Sequence, residues 1–218
     1  MEQYFNAKGR KIRAIVFDFD ETLYVSPNTR KLYIQYIKNT VMTLGGHSES
    51  ASKALMEKLG FTESNKASPS FRASCEHFGI TKQQWDEYRM DNFFEIDYEN
   101  AHTVSLATLK RLKKTYPLFI ASNEVKENVL KKAVKLNIDL SIFDDIYAPQ
   151  KSQIGNYMDK KNIYLTIAKK LNINTKNLLV VGDRYKVDAQ PMLEIGGNAV
   201  IIKHPEEIDT LETILTLE

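Results

Sequence analysis

Asp18 and Asp20 stand one residue apart at the end of an apolar run, A-I-V-F-D-F-D-E-T, with Thr22 two positions further on. Continuously apolar residues such as those at 14–17 read as a strand buried on both faces, and such a strand seldom ends in carboxylates for the sake of packing. Two carboxylates at i and i+2 repel each other unless a cation neutralises them or one of them holds a proton. Metal binding and proton transfer are the chemistries that suit the pair.

Two further apolar runs end in reactive groups, A-S-N at 121–123 and V-G-D-R-Y-K-V-D at 181–188. If the fold gathers these ends, Asp18, Asp20, Asp183 and Asp188 share one region, which calls for a hard, oxygen-seeking cation; Mg2+ is the default. A metal keeps one aspartate ionised and aims it as a nucleophile. Ser122, read as the cap of a helix over 124–136, offers a hydroxyl and backbone N–H groups to an anion such as phosphate, with Asn123 beside it. A lysine would offset the charge on a transferring phosphoryl group. Lys151, Lys160 and Lys161 all precede the last acidic loop, and spacing does not choose among them.

The elements that must position these groups alternate. Strands are predicted at about 12–17, 118–121, 143–148, 178–181 and 199–202, with helices at 104–114, 124–136, 161–171 and 188–195. Between the first strand and this series lies an all-helical stretch. Ser26-Pro27 reads as a helix start, Gly45-Gly46 as its end, 49–59 and 70–78 as further helices, and Thr81 with Gln84 as a capping box for a fourth over 82–94. The expected architecture is α/β: a doubly wound, Rossmann-like parallel sheet formed by 1–24 and 99–218, with a four-helix insertion at 25–98. Residues 1–11 read as a polar lead-in. Ligands of such sheets collect at the carboxyl ends of strands, where Asp18, Ser122 and Asp183 fall.

The bulk properties of the 218-residue chain restrict the partners. Its formal net charge is +2, from 30 basic and 28 acidic residues, so no field argues for nucleic acid or an anionic membrane. The lone Cys75 allows no internal disulfide, the first residues lack an apolar segment, and no apolar run is long enough to span a bilayer. A soluble cytoplasmic protein is expected. His47, His77, His102 and His204 lack metal-ligand spacing, and the aromatics at 71–94 read mainly as core.

With these motifs in hand, the chain resembles the haloacid dehalogenase superfamily of phosphatases over roughly residues 12–203. D-x-D-x-T is matched by Asp18, Asp20 and Thr22, the strand ending in Ser or Thr by Ser122, and G-D-x-x-x-x-D by Gly182, Asp183 and Asp188. The family's lysine motif usually carries a following Pro, absent here after Lys160 and Lys161, so the choice between them stays open, with Lys151 as a further phosphate contact. The resemblance implies that Asp18 is the nucleophile that becomes an aspartyl-phosphate. It implies that Asp20 is the acid/base, that Asp18, Asp20 (through its carbonyl) and Asp183 hold Mg2+, and that Asp188 and Thr22 support them. It also implies that the helical insertion is a cap over a small phosphorylated metabolite, as in phosphoglycolate-phosphatase-like or nucleotidase-like enzymes; Tyr24 and Arg30, by their place early in the insertion, are candidates to reach such a substrate. The same motifs serve sugar-phosphate phosphomutases or phosphotransferases, and a catalytically degenerate binding protein is the non-enzymatic alternative.

Overall fold

The computed structural model describes residues 1–5, 11–65, 69–150 and 159–216. In chain order its strands are β1 (Glu2–Tyr4), β2 (Ala14–Phe17), β3 (Tyr24–Val25), β4 (His102–Thr103), β5 (Leu118–Ala121), β6 (Asp145–Tyr147), β7 (Leu178–Gly182) and β8 (Asn198–Ile201). The α-helices are α1 (Thr29–Gly45), α2 (Glu49–Lys58), α3 (Phe71–Ser74), α4 (Lys82–Asp91), α5 (Leu106–Lys113), α6 (Lys126–Lys135), α7 (Lys160–Lys170), α8 (Gln190–Glu194) and α9 (Leu211–Thr216). The described residues of Met1–Ser26, Tyr98–Gln150 and Tyr157–Glu218 form one compact unit and those of Pro27–Asp97 a second. No helix among the described residues is long and apolar enough to cross a membrane.

The first unit is an α/β Rossmann-like fold. Its sheet runs β1-β8-β7-β2-β5-β6, with every neighbour parallel except β1, which pairs antiparallel with β8. Every residue of β2, β5 and β7 is buried, as continuous apolar runs demand of central parallel strands. Ala14, Val16, Phe119, Ala121, Leu178 and Val180 line one face and pack with Ile163, Tyr164, Ile167 and Ala168 of α7 and Met192 of α8. The right-handed crossover rule puts α5 and α6 on the opposite face, because the chain first winds from β2 outward to β6 and then returns to β7 and β8. The reversal occurs at β2, the place where ligands of such sheets bind.

Two expectations change here. The polar lead-in contains the edge strand β1, whose E-Q-Y has no apolar signal because an edge strand need bury little. Beyond the first motif, Tyr24 pairs with Thr103 and Val25 with His102 in a separate two-stranded ribbon.

The second unit is helical with its own core. Ile37, Val41, Met56, Phe61, Phe71, Cys75, Phe78, Ile80 and Trp85 are buried together, and the Phe71 ring lies 4.7 Å from Trp85 and 5.3 Å from Phe78. Gly46 ends α1 and Gly79 ends the 3-10 turn Cys75–Phe78, both with left-handed backbone. The Thr81–Gln84 capping box forms as its sequence predicts. The Ser26-Pro27 start does not: α1 begins at Thr29 behind Asn28, a left-handed residue that makes no side-chain cap.

Helices α6 and α7, which deliver site residues, stop in the same way. Asn137 and Asn172 take φ of 55° and 51°, and the next amides, Ile138 and Ile173, donate to Ala133 and Ala168 at 2.9 and 3.0 Å. A β-branched side chain in this left-handed position costs about 1–2 kcal/mol, whereas glycine fits. Asn172→Val is therefore expected to lower the melting temperature by roughly 2–8 °C and Asn172→Gly to leave it close to wild type, as read by calorimetry.

Candidate active site

Register alone assembles the site. Phe17 lies opposite Val181 of β7 and opposite Ile120 of β5, so Asp18, Gly182 and Ala121 form the next row, with Asp183 and Ser122 one step beyond. The Asp18 amide continues the ladder to the Val181 carbonyl at 2.8 Å, and the Ser122 amide donates to Tyr147 at 2.9 Å. Asp18 and Ser122 are buried.

Asp18 is held by a buried lysine. Lys160, the first residue of α7, sets its Nζ 2.8 Å from Asp18 Oδ1 and donates also to Asp188 Oδ1. Burial alone would lower the ammonium pKa, but Asp18 and Asp188 outweigh it and raise it. The Asp159 side chain accepts from the Asn162 amide at 2.8 Å and fixes where α7 begins, hence which lysine turns inward. One residue on, Lys161 points outward to Glu194 at 3.2 Å.

The helix expected over 188–195 begins only at Gln190, two residues past Asp188. Asp188 lies inside a π turn, Tyr185–Ala189, fully buried, with its Oδ2 accepting from the Arg184 amide at 2.9 Å. A Cβ on Gly182 would fall 2.4 Å from Asp188 Cβ and Cγ, so the glycine of G-D-x-x-x-x-D is required by space and not by its backbone angles.

Asp20 has its own lysine. Lys132 of α6, 1% exposed, places Nζ 2.6 Å from Asp20 Oδ1 and 3.4 Å from Glu124 Oε2. The buried Tyr24 hydroxyl donates to the same Asp20 oxygen. Burial would raise the Asp20 pKa, but the charge and hydrogen bond of Lys132, with the Tyr24 bond, bring it below the ordinary value. The sequence reading missed Lys132. Its signal is a lysine on the inward stripe of α6, among the buried Asn128, Val129 and Ala133.

Among the described residues Asp183 has no such partner. Its Oδ1 is buried and accepts no hydrogen bond from the described residues, of which Arg184 brings the nearest cation, its Nε at 3.7 Å. Burial, against Arg184 and with Asp18 and Asp188 adding repulsion, pushes its carboxyl up to about 8; burial, partly offset by Lys160, pushes Asp18 up to about 6. Carboxylate oxygens of Asp18, Asp183 and Asp188 lie within 4.8 Å of one another. This donor set, all oxygen and with one buried lone pair unmet, fits a hard divalent cation on Asp18 and Asp183, while Asp188 is occupied by Lys160 and a backbone amide.

The other expected site residues are placed as follows. Ser122 is not a helix cap: α6 begins at Lys126, and the Ser122 hydroxyl accepts from the Glu124 amide at 3.0 Å in a turn of its own. Asn123 is half-buried in that turn. Thr22 is fully buried and its hydroxyl has no hydrogen-bond partner among the described residues. Arg30 belongs to the helical unit, where its guanidinium donates to the Thr62 and Asn65 carbonyls at 2.8–3.0 Å. Lys151 lies outside the described residues.

Two outcomes test this geometry. Gly182→Ala must displace Asp188 and is expected to cost about 1–3 kcal/mol in urea unfolding. Carboxyls whose folded pKa exceeds the unfolded value near 3.9 lose stability for the fold as pH rises through the folded value. Without metal, Asp183→Asn should therefore raise the melting temperature at pH 8 and change it little at pH 4.

Comparison with known proteins agrees with this arrangement. A sequence profile for haloacid dehalogenase-like hydrolases matches residues 12–196. Comparison with curated proteins finds no match. Among solved structures, a HAD phosphatase from Thermococcus onnurineus superposes with TM-score 0.59 at 17% identity, covering 94% of this chain and 98% of that one. A protein described as a predicted phosphoglycolate phosphatase from Haemophilus somnus gives 0.54 at 18% identity, over 88% and 86%. A magnesium-bound HAD-hydrolase from Bacillus subtilis gives 0.54 at 14%, over 95% and 100%. At these identities the structures speak for the fold, and the profile, spanning both the D-x-D-x-T and the G-D-x-x-x-x-D segments, carries the assignment: the chain belongs to the haloacid dehalogenase-like hydrolases.

Proposed function

We propose that the protein is a Mg2+-dependent phosphatase that hydrolyses a small phosphomonoester through an aspartyl-phosphate on Asp18. The observation that carries this reading is the meeting, at the carboxyl edge of β2, β5 and β7, of a lysine-held aspartate, a buried serine and a second carboxylate whose Oδ1 is unmet. Mg2+ bound by Asp18 and Asp183 would neutralise the repulsion between those carboxylates and the phosphoryl oxygens.

Lys160 holds Asp18 through Oδ1, leaving Oδ2 as the attacking oxygen. It attacks phosphorus as the bond to the substrate's alcohol oxygen breaks, and Asp20, which takes up a proton once the negative charge of the bound phosphate lies beside it, gives that oxygen the proton. Asp20, now ionised, takes a proton from a water that attacks the acyl phosphate. Inorganic phosphate leaves and Asp18 is restored. Ser122, with the amides of its turn, is the group assigned to a phosphoryl oxygen. The helical unit, inserted just after the first motif, is assigned the choice of leaving group. Phosphoglycolate, sugar phosphates and nucleoside monophosphates are the classes to test, the first also because one structural neighbour bears that description.

Phosphate release from this panel with Mg2+ is the direct measurement. Activity on at least one compound, its loss with chelator, and a fall of at least about a thousandfold in Asp18→Asn are expected. Full activity in Asp18→Asn would refute the nucleophile. Lys160→Met should reduce turnover strongly, and Lys161→Met should change it little.

A further inference from the structure

The lysine of the site is Lys160, yet a second buried lysine stands beside the other aspartate, with no part in the steps above. We propose that Lys132, together with Tyr24, is a positioning residue for Asp20: the two anchor its carboxylate by one oxygen and leave the other to carry the proton. This rests on the reading of Asp20 as proton donor.

Three observations carry it. First, both donors meet at one atom. Lys132 Nζ is 2.6 Å from Asp20 Oδ1, and the Tyr24 hydroxyl donates to that same Oδ1. Among the described residues Oδ2 accepts no hydrogen bond, so the carboxylate is held from one side only. Second, burial is graded across the pair: Lys132 is 1% exposed, whereas the Asp20 side chain keeps 30%. The anchor lies in the interior and the anchored group reaches the surface of the site. Third, the anchor is itself fixed. Glu124, the other carboxylate on Lys132, accepts from the Val125 amide at 2.7 Å and from Asn128 Nδ2 at 3.2 Å. The lysine on α6 therefore meets a fixed carboxylate, in the turn that also carries Ser122.

A plain packing role would not need this. On the inward stripe of α6 an apolar residue would spare the desolvation of an ammonium, which its ion pairs seldom repay in full. What the ammonium adds is direction. A carboxylate free to rotate presents either oxygen at any angle, and a group that must meet a leaving oxygen within hydrogen-bond reach loses rate when it wanders.

The test uses the full-length protein with saturating Mg2+ and two phosphomonoesters, 2,4-dinitrophenyl phosphate and an alkyl phosphate. The first has a leaving group that departs without a proton; the second needs one. The readout is kcat/KM, which reports leaving-group departure. Asp20→Asn establishes the baseline by losing far more on the alkyl ester than on the aryl ester. Lys132→Met is expected to show the same bias, with a loss at least about tenfold greater on the alkyl ester. Added to Asp20→Asn it should cause no further biased loss. Tyr24→Phe, which removes only a hydroxyl, should show the bias more weakly, and it decides the matter if Lys132→Met does not fold by circular dichroism.

Equal losses on both esters in Lys132→Met and Tyr24→Phe, with Asp20→Asn still biased, would overturn the positioning role and leave the proton donor intact. An unbiased Asp20→Asn would instead overturn the proton donor, and the positioning role with it.

Discussion

Two carboxylates cannot sit two residues apart at the end of a buried strand without cations, and each aspartate of the D-F-D pair has its own buried lysine. Lys160 joins Asp18 to Asp188, and Lys132 joins Asp20 to Glu124. In each case one ammonium bridges two acids, so neither carboxylate has to rely on the other's lysine. Removing either lysine would strand buried charge, a change of about 3–5 kcal/mol in comparable buried pairs. Such pairs are poor stabilisers compared with apolar packing, so stability alone does not account for them.

That constraint dictates the arrangement around β2. Lys132 arrives on α6 and Lys160 on α7, and the winding of the chain places these helices on opposite faces of the sheet. Only a strand in the middle of a doubly wound sheet can be reached from both sides. The same reversal of winding opens the space beyond β2 in which Asp183 Oδ1 meets no donor among the described residues.

Much of this was legible in the residues, and the rest was hidden for physical reasons. The strands β2, β5 and β7 declare themselves because burial on both faces leaves no polar residue in them. Asp18, Ser122 and Asp183 follow from their ends. β1 was hidden because E-Q-Y carries no pattern, and the β3–β4 ribbon because two-residue strands have no period. Lys160 could not be told from Lys161, since one residue is about 100° of helix and only the Asp159 cap sets the phase. Lys132 sits in a K-K-A-V-K run that reads as a solvated face, and its burial depends on contacts with residues over a hundred positions away. Ser122 reads as a cap although it sits in a turn, because serine favours caps and free-standing turns for one and the same reason, a hydroxyl that competes for backbone N–H groups.

The small ribbon has a consequence for the history of the chain. The strand leaving for the helical unit and the strand coming back are hydrogen-bonded neighbours, Tyr24 beside Thr103 and Val25 beside His102, and the Val104 amide reaches back to the Leu23 carbonyl at 2.9 Å. Seen from the α/β unit, the whole of Pro27–Asp97 is the tip of a hairpin. A hairpin tip can grow, shrink or be exchanged at small entropic cost, because its ends are already tied together. The segment between Val25 and His102 can thus change in length or sequence without moving the strand ends that hold Asp18.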